Sequence, residues 1–248
     1  MFQAILNAFR IKEIRNRILF TLGMLALYRF GANITIPGVD ASAIMEQVQT
    51  GMLGMMDLFS GGALGKFAVF SLGIMPYITA SIIMNLLQVV IPKLEQLAKE
   101  GEVGRRKINQ IARYMTVGLA LIQSVAMVFF FRNFGAIPVF DFMHVFLIII
   151  TLTAGTAVIM WMGELINIHG IGNGISLIIF ASIVSRLPGQ FITLFRLKGA
   201  NIFFIILFFV LAIGIIMAII MIQQGERKIP VQYAKRIVGR KVFGGQST

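Results

Sequence analysis

The side chains best suited to covalent or metal chemistry are few in this sequence and badly placed for it. Its two histidines, His144 and His169, fall on opposite membrane faces in a six-span reading, so they cannot share a metal ion, and no HExxH occurs. Cysteine is absent, which removes any disulfide framework or thiolate site. There is no GxGD or paired intramembrane aspartate for aspartyl proteolysis, and serines inside apolar runs have no histidine at comparable depth. The near-absence of titratable groups in those runs argues against a proton relay. What remains is non-covalent chemistry. Asn85 and Gln88 lie three residues apart and share a helix face, and Gln123 and Ser124 sit within a later apolar run. They are either ordinary interhelical hydrogen bonds or a polar contact that can open. Gly170, Gly172 and Gly174 alternate in GIGNG, without dinucleotide-fingerprint spacing or the GK[ST] of a P-loop. A tight helix–helix turn capped by Asn173 or Ser176 is the reading.

The elements that must position these groups are membrane spans. Of 248 residues, 58% are hydrophobic and 13% charged, about half the charge of a soluble domain, and the mean hydropathy is +0.88. Six runs are long enough for the roughly 20 residues a spanning helix needs: about 18–36, 67–91, 111–131, 144–163, 174–192 and 202–222. The fifth is the weakest, with Arg186 and Pro188 near its end. In the first, Arg29 lies in the outer half, where snorkelling explains it. The basic N-terminus runs straight into the first span without a cleavage signature and reads as a retained interfacial helix.

The net charge of +12 is distributed by topology and does not form a nucleic-acid stripe. Arg10, Lys12, Arg15 and Arg17 precede the first span. Lys93, Lys99, Arg105, Arg106, Lys107 and Arg113 lie between the second and third, and Arg227, Lys228, Lys235, Arg236, Arg240 and Lys241 follow the sixth. Sixteen of the 22 basic residues thus share one side, which the positive-inside rule makes cytoplasmic, with both ends of the chain inside. The second and third clusters exceed what orientation needs, so a cytoplasmic partner competes with topology as their purpose. The loop 37–57 on the other side holds Asp40, Glu46 and Asp57 and no basic residue.

The second run is the unusual one. Ser60-Gly61-Gly62-Ala63-Leu64-Gly65 precedes it, and Gly73 and Pro76 interrupt it. An ordinary proline kink is one explanation. A re-entrant segment resting against a cavity is the other, since irregular backbone at membrane depth is tolerated inside protein or beside water. The spacing predicts a short helix over 57–66, capped by Asp57 or Ser60, with a bend near 66–71 before the helix that contains Pro76.

LYRFGANITIPGVD, LFSGGALGKFAVFSLGIMPYITASII, EGEVGRRKINQIARY, WMGELINIHGIGNGIS and ERKIPVQYAKRIVGRK…GGQST, in this order and over essentially the whole chain, resemble the bacterial SecY family of protein-conducting channels. The resemblance implies an all-α integral membrane protein: a helical bundle with a re-entrant plug helix and a broken second span, the first half of an inverted-repeat channel. Phe59, Ser60, Gly61, Gly62, Ala63, Leu64 and Gly65 then look like the plug, and Ile74, Ile78 and Ile179 fall on the hydrophobic pore ring. Apolar ring side chains suit sealing by dewetting, although lipid or packing contact would explain three isoleucines equally well. Asn85 and Gln123 fall in the polar cluster of the lateral gate. Arg227, Lys228, Lys235, Arg236, Arg240 and Lys241, with Arg105, Arg106 and Lys107, fall on the cytoplasmic surface that docks the SecA motor and the ribosome.

Further partners implied are SecE, SecG, signal sequences, nascent or unfolded polypeptides and membrane lipid, in the cytoplasmic membrane, with no cofactor and no enzymatic activity. The organisation expected is a cytoplasmic amphipathic segment at 1–17, a first channel half at 18–192 with the plug at 57–66, an external loop and sixth span at 193–223, and a cytoplasmic loop at 224–248. The family continues into four more spans, so this chain reads as an N-terminal part. The competing function is a secondary transporter with a mid-membrane site at the broken helix. It requires a polar or charged ligand near the break, and Gly73, Ile74, Met75 and Pro76 supply none.

Overall fold

The structure is a computed structural model that describes residues 11–50, 53–196 and 202–226 together with four short strands, and the chain divides into two compact units, Met1–Phe191 and Ile192–Thr248. In the first unit, α1 (Lys12–Gly31) is followed by α2 (Ala41–Thr50), α3 (Leu53–Phe59), α4 (Met75–Val90), α5 (Pro92–Lys99), α6 (Glu102–Arg132) and α7 (Phe142–His169). Helix α8 (Gly174–Arg196) begins in this unit. The second unit holds α9 (Ile202–Gln223) and the strands β1 (Val231–Gln232), β2 (Arg236–Val238), β3 (Lys241–Phe243) and β4 (Gln246–Ser247). β1 pairs antiparallel with β4, and β2 with β3, Ile237 opposite Val242. The basic loop expected at 224–248 therefore carries short strand pairs.

Helices α6 and α7 are the framework of the first unit. Arg113 meets Glu164, and the Ser124 hydroxyl lies 3.4 Å from that of Thr153, a pairing that runs antiparallel. At about 1.5 Å per residue, the 31 residues of α6 measure roughly 46 Å, well beyond about 30 Å of hydrocarbon. The surplus is its first three turns, where Arg105, Arg106 and Lys107 are exposed. Helix α7 continues past 163 to His169, so all of WMGELINIH is helix and residues 170–173 make the connection. The Asn173 side chain accepts from the backbone N–H groups of Ile175 and Ser176 and so caps α8, as the sequence suggested.

Four of the described helices are long and apolar enough to cross a membrane: α6, α7, the 174–192 part of α8, and the 206–223 part of α9. Helix α1 falls short because Arg15, Arg17 and Arg29 crowd its last eighteen residues. The expected span 67–91 is helical only from Met75, and its 16 residues reach about 24 Å. At Pro92 the chain turns through 100° into α5, whose Leu94 and Leu97 pack back on Met84, Ile108 and Ala112. On the other side of the bundle Asp40 caps α2: the Ser42 hydroxyl and N–H both donate to its carboxylate, at 2.6 and 2.9 Å. These bonds hold its carboxyl below the ordinary range.

Between α3 and α4 the chain is not helical. Residues 60–74 run through turns that are almost entirely buried. The helix expected at 57–66 lies instead at Leu53–Phe59, and the glycines end it. Gly61 and Gly62 adopt left-handed φ angles of +67° and +90°, outside the helical region. Val69 N–H donates to Ile34 and Ile36 N–H to Phe67, so the segment is stitched to the stretch that follows α1.

Candidate functional site

The irregular segment is held by two chemistries on its two sides. Toward α6 and α7 the contacts are apolar. Leu64, Phe67 and Leu72 join Val128, Phe131, Ile148 and Leu152 in one core cluster. Phe67 has a left-handed φ of +47°, a strained value for a non-glycine residue, and its fully buried ring stands edge-on to Phe131 with centroids 5.5 Å apart. The Val69 backbone lies directly on Gly155 of α7, where a Cβ would overlap its carbonyl.

Toward α1 and α8 polar contacts are added to apolar ones, the latter including the Phe70 ring stacked on Tyr28 with centroids 5.7 Å apart. The Tyr28 hydroxyl lies 2.7 Å from the Ser182 hydroxyl and donates toward the Ser60 carbonyl at 3.2 Å. Arg29 donates to the Gly61 carbonyl at 2.5 Å, so it turns inward and does not snorkel. The fully buried Asp57 carboxylate accepts from Gly65 N–H at 2.8 Å and forms an ion pair with Arg186. The Ser60 hydroxyl accepts from Leu64 N–H, and Ser71 donates to the Ala63 and Ala68 carbonyls. Among the described residues no buried side-chain polar atom lacks a partner, and turn bonds such as Gly62 N–H to Asp57 and Ala68 N–H to Ala63 help the backbone stay irregular in a dry interior.

Sequence reasoning passed over this polar side. Arg186 was noted as a weakness of the fifth run and Asp57 as a cap. The signal was available: two opposite charges in apolar surroundings need each other.

The proposed ring residues come together. Ile74 is buried in a cluster with Ala63, Phe70, Ile159 and Ile178, and Ile78 and Ile179 pack against it. Of the glycine-rich stretch, Ser60 to Gly65 are buried and Phe59 is exposed. Asn85 and Gln123 lie on α4 and α6, which pack together, but at different heights. Gln88 donates to Asn85 at 3.5 Å. Gln123 instead lines an open apolar groove of about 400 Å³ with Thr79, Met75, Leu53 and Phe130, and Thr79 is six residues, roughly 9 Å, along α4 from Asn85. Arg236 and Lys241 lie in β2 and β3; Arg227, Lys228, Lys235 and Arg240 lie outside the described residues. His144 and His169 occupy opposite ends of α7. Among the described residues no three His, Cys, Asp or Glu side chains gather as metal ligands.

A bundle of membrane-length helices packed on a buried, non-helical segment defines an all-α integral membrane protein. The SecY family model matches residues 68–248, and the chain belongs to the SecY family. A protein translocase subunit SecY from Halalkalibacterium halodurans is 46% identical over the whole chain, which spans 60% of that relative's length. A solved structure described as "The structure of a protein conducting channel" superposes with a TM-score of 0.57 at 20% identity, over 93% of this chain and 52% of that one. A second concerns the plug domain of the SecY protein, said there to stabilise the closed state of its translocation channel. It has a TM-score of 0.55 at 22% identity, over 93% of this chain and 51% of that one.

Proposed function

We propose that this chain contributes the first half of a channel that conducts unfolded secretory polypeptides across the cytoplasmic membrane and releases membrane segments sideways into lipid. The observation that carries the reading is the buried segment 57–74 lying against the isoleucine cluster inside a membrane bundle, in a chain of the SecY family. In this reading Phe59 to Gly65 form the plug, and Ile74, Ile78 and Ile179 form an apolar ring that seals without binding the passing chain specifically. Asn85 and Gln123 belong to the polar contacts of a gate that signal sequences open.

Both termini of this chain face the cytoplasm in this reading. Arg105, Arg106 and Lys107, exposed on the protruding start of α6, join Arg227, Lys228, Lys235, Arg236, Arg240 and Lys241 as a basic surface for SecA and for ribosomal RNA, which they would engage with steep salt dependence. SecE and SecG complete the assembly. No bond is made or broken by this chain, and the driving force comes from its partners.

The test is a photoreactive side chain at Ile78 in the assembled channel, with a secretory precursor arrested in transit. The expected result is an adduct with the precursor, absent when the precursor lacks its signal sequence. No adduct at Ile78, Ile74 or Ile179 would contradict the reading.

A further inference from the structure

The plug reading says what the segment does. It does not say what holds it. We propose that Arg186 of α8, with Tyr28 of α1 and Ser182 of α8, is a polar latch that positions residues 57–65 in the sealed arrangement and frees them when the outer turns of α8 move. This rests on the channel reading for its purpose, though not for its geometry.

Three observations carry it. First, the polar contacts from α8 come from residues one turn apart on one face, in line with Ile178, which packs in the cluster of Ala63 and Ile74. Ser182 meets Tyr28, and its backbone lies against Gly61. Arg186 pairs with Asp57 and lies over Gly62. Side chains at 61 or 62 would push both off, since a Cβ on Gly62 would overlap the Arg186 guanidinium. Second, the pair is lopsided. The Asp57 side chain is 1% exposed and Arg186 30%. The cation can leave toward water, whereas the carboxylate stays behind among apolar neighbours, and a buried charge left alone is strongly unfavourable. The contact is therefore either made or broken together with movement of the segment. Third, Pro188 stands two residues beyond Arg186 inside α8, where it removes a backbone donor and loosens the helix at the place the latch would hinge.

Tyr28 adds a second, weaker tie. Ser182 donates its own proton to Ile178, so the single Tyr28 proton serves both Ser182 and the Ser60 carbonyl. A shift of α8 leaves it to Ser60 alone. The other side of the segment is held through Phe67, edge-on to Phe131.

These 248 residues contain no cysteine, so the cysteine-bearing variant is compared with the otherwise identical protein lacking the introduced thiol. Ala63, fully buried in the segment, becomes Ala63→Cys in the membrane-embedded protein, and its labelling by a membrane-impermeant maleimide added outside is timed. Ala120→Cys, fully buried on α6, is the control for global packing. With Asp57 and Arg186 intact, both thiols stay protected. Asp57→Asn or Arg186→Gln speeds labelling at 63 by about tenfold or more, as expected for a broken buried pair, and the double variant is no faster than the quicker single. Arg186→Lys restores most of the protection, Tyr28→Phe gives a smaller rise, and position 120 stays protected throughout. Unchanged labelling at 63 in Arg186→Gln overturns the latch. So does a rise at 120 parallel to that at 63, which would make the pair a general staple of the fold. Additive effects in the double variant also overturn it. Loss of the Ile78 adduct with the labelling pattern intact would count against the channel reading and leave the latch standing.

Discussion

The α6–α7 pair and the segment 60–74 are packed against each other, yet they keep their shapes by opposite means. In α6 and α7 the backbone satisfies itself, and small residues such as Gly155 and Ala120 let neighbours approach closely. In the segment turns satisfy part of the backbone, through bonds such as Gly62 N–H to Asp57, Ala68 N–H to Ala63 and Gly73 N–H to Phe70. Further donors and acceptors are met one at a time by the side chains of Asp57, Ser60, Ser71, Tyr28 and Arg29. The first kind of region tolerates many apolar substitutions, while the second depends on particular atoms.

The largest effect should come where the two regions touch. Gly155→Val would drive a branched side chain into the Val69 carbonyl. Neither partner is a flexible tip, so little folded protein should be recovered from membranes and the melting transition in detergent should be lost. Recovery at the normal level would mean the segment yields, against its close packing on Gly155. Next is Phe131→Ala, which removes a fully buried ring from the core shared by both regions. A loss of about 3–5 kcal/mol is expected, read as a lowered unfolding midpoint.

Gly61→Ala tests the segment alone. At a φ of +67° the new Cβ costs about 1–2 kcal/mol, so the midpoint should move little while protease or thiol access to 60–65 rises. An equal effect on α6 would erase the distinction between the regions. Arg113→Gln breaks the pair with Glu164 at the α6–α7 rim, where Arg113 is 48% exposed. The expected change is within about 1 kcal/mol.

The smallest effect concerns Asp40. Its carboxyl lies below the ordinary range because Ser42 donates to it. Its capping contribution is therefore complete above the ordinary carboxylate range and fades as pH falls through the lowered value. Asp40→Asn should flatten that acid-side dependence of α2 order, followed by hydrogen exchange.

Much of this was legible in the residues. Gly73 and Pro76 announced a broken span, Asn173 announced the cap of α8, and Asn85 and Gln88 were placed on one face and do meet. The helix at 57–66 was misplaced because glycine density marks a departure from helix without saying which conformation follows. Two left-handed glycines in succession chose turns. The Asp57–Arg186 pair joins residues 129 positions apart, and periodicity carries no information at that range. Arg29 near a helix end looks the same in sequence whether it snorkels or turns inward; the Gly61 carbonyl decided it. The strand pairs at 231–247 had a signal in the alternation of RIVGRKVF, masked by reading the stretch for charge alone.

The central claim is that residues 57–74 close a conduit wide enough for a polypeptide. The most direct measurement is the ion conductance of the assembled channel in a planar bilayer at rest, with and without residues 60–65. The account predicts a nearly silent intact channel and a steady conductance after the deletion, with a precursor in transit raising conductance in the intact form. A deletion variant that inserts, assembles and remains as silent as the intact channel would contradict it.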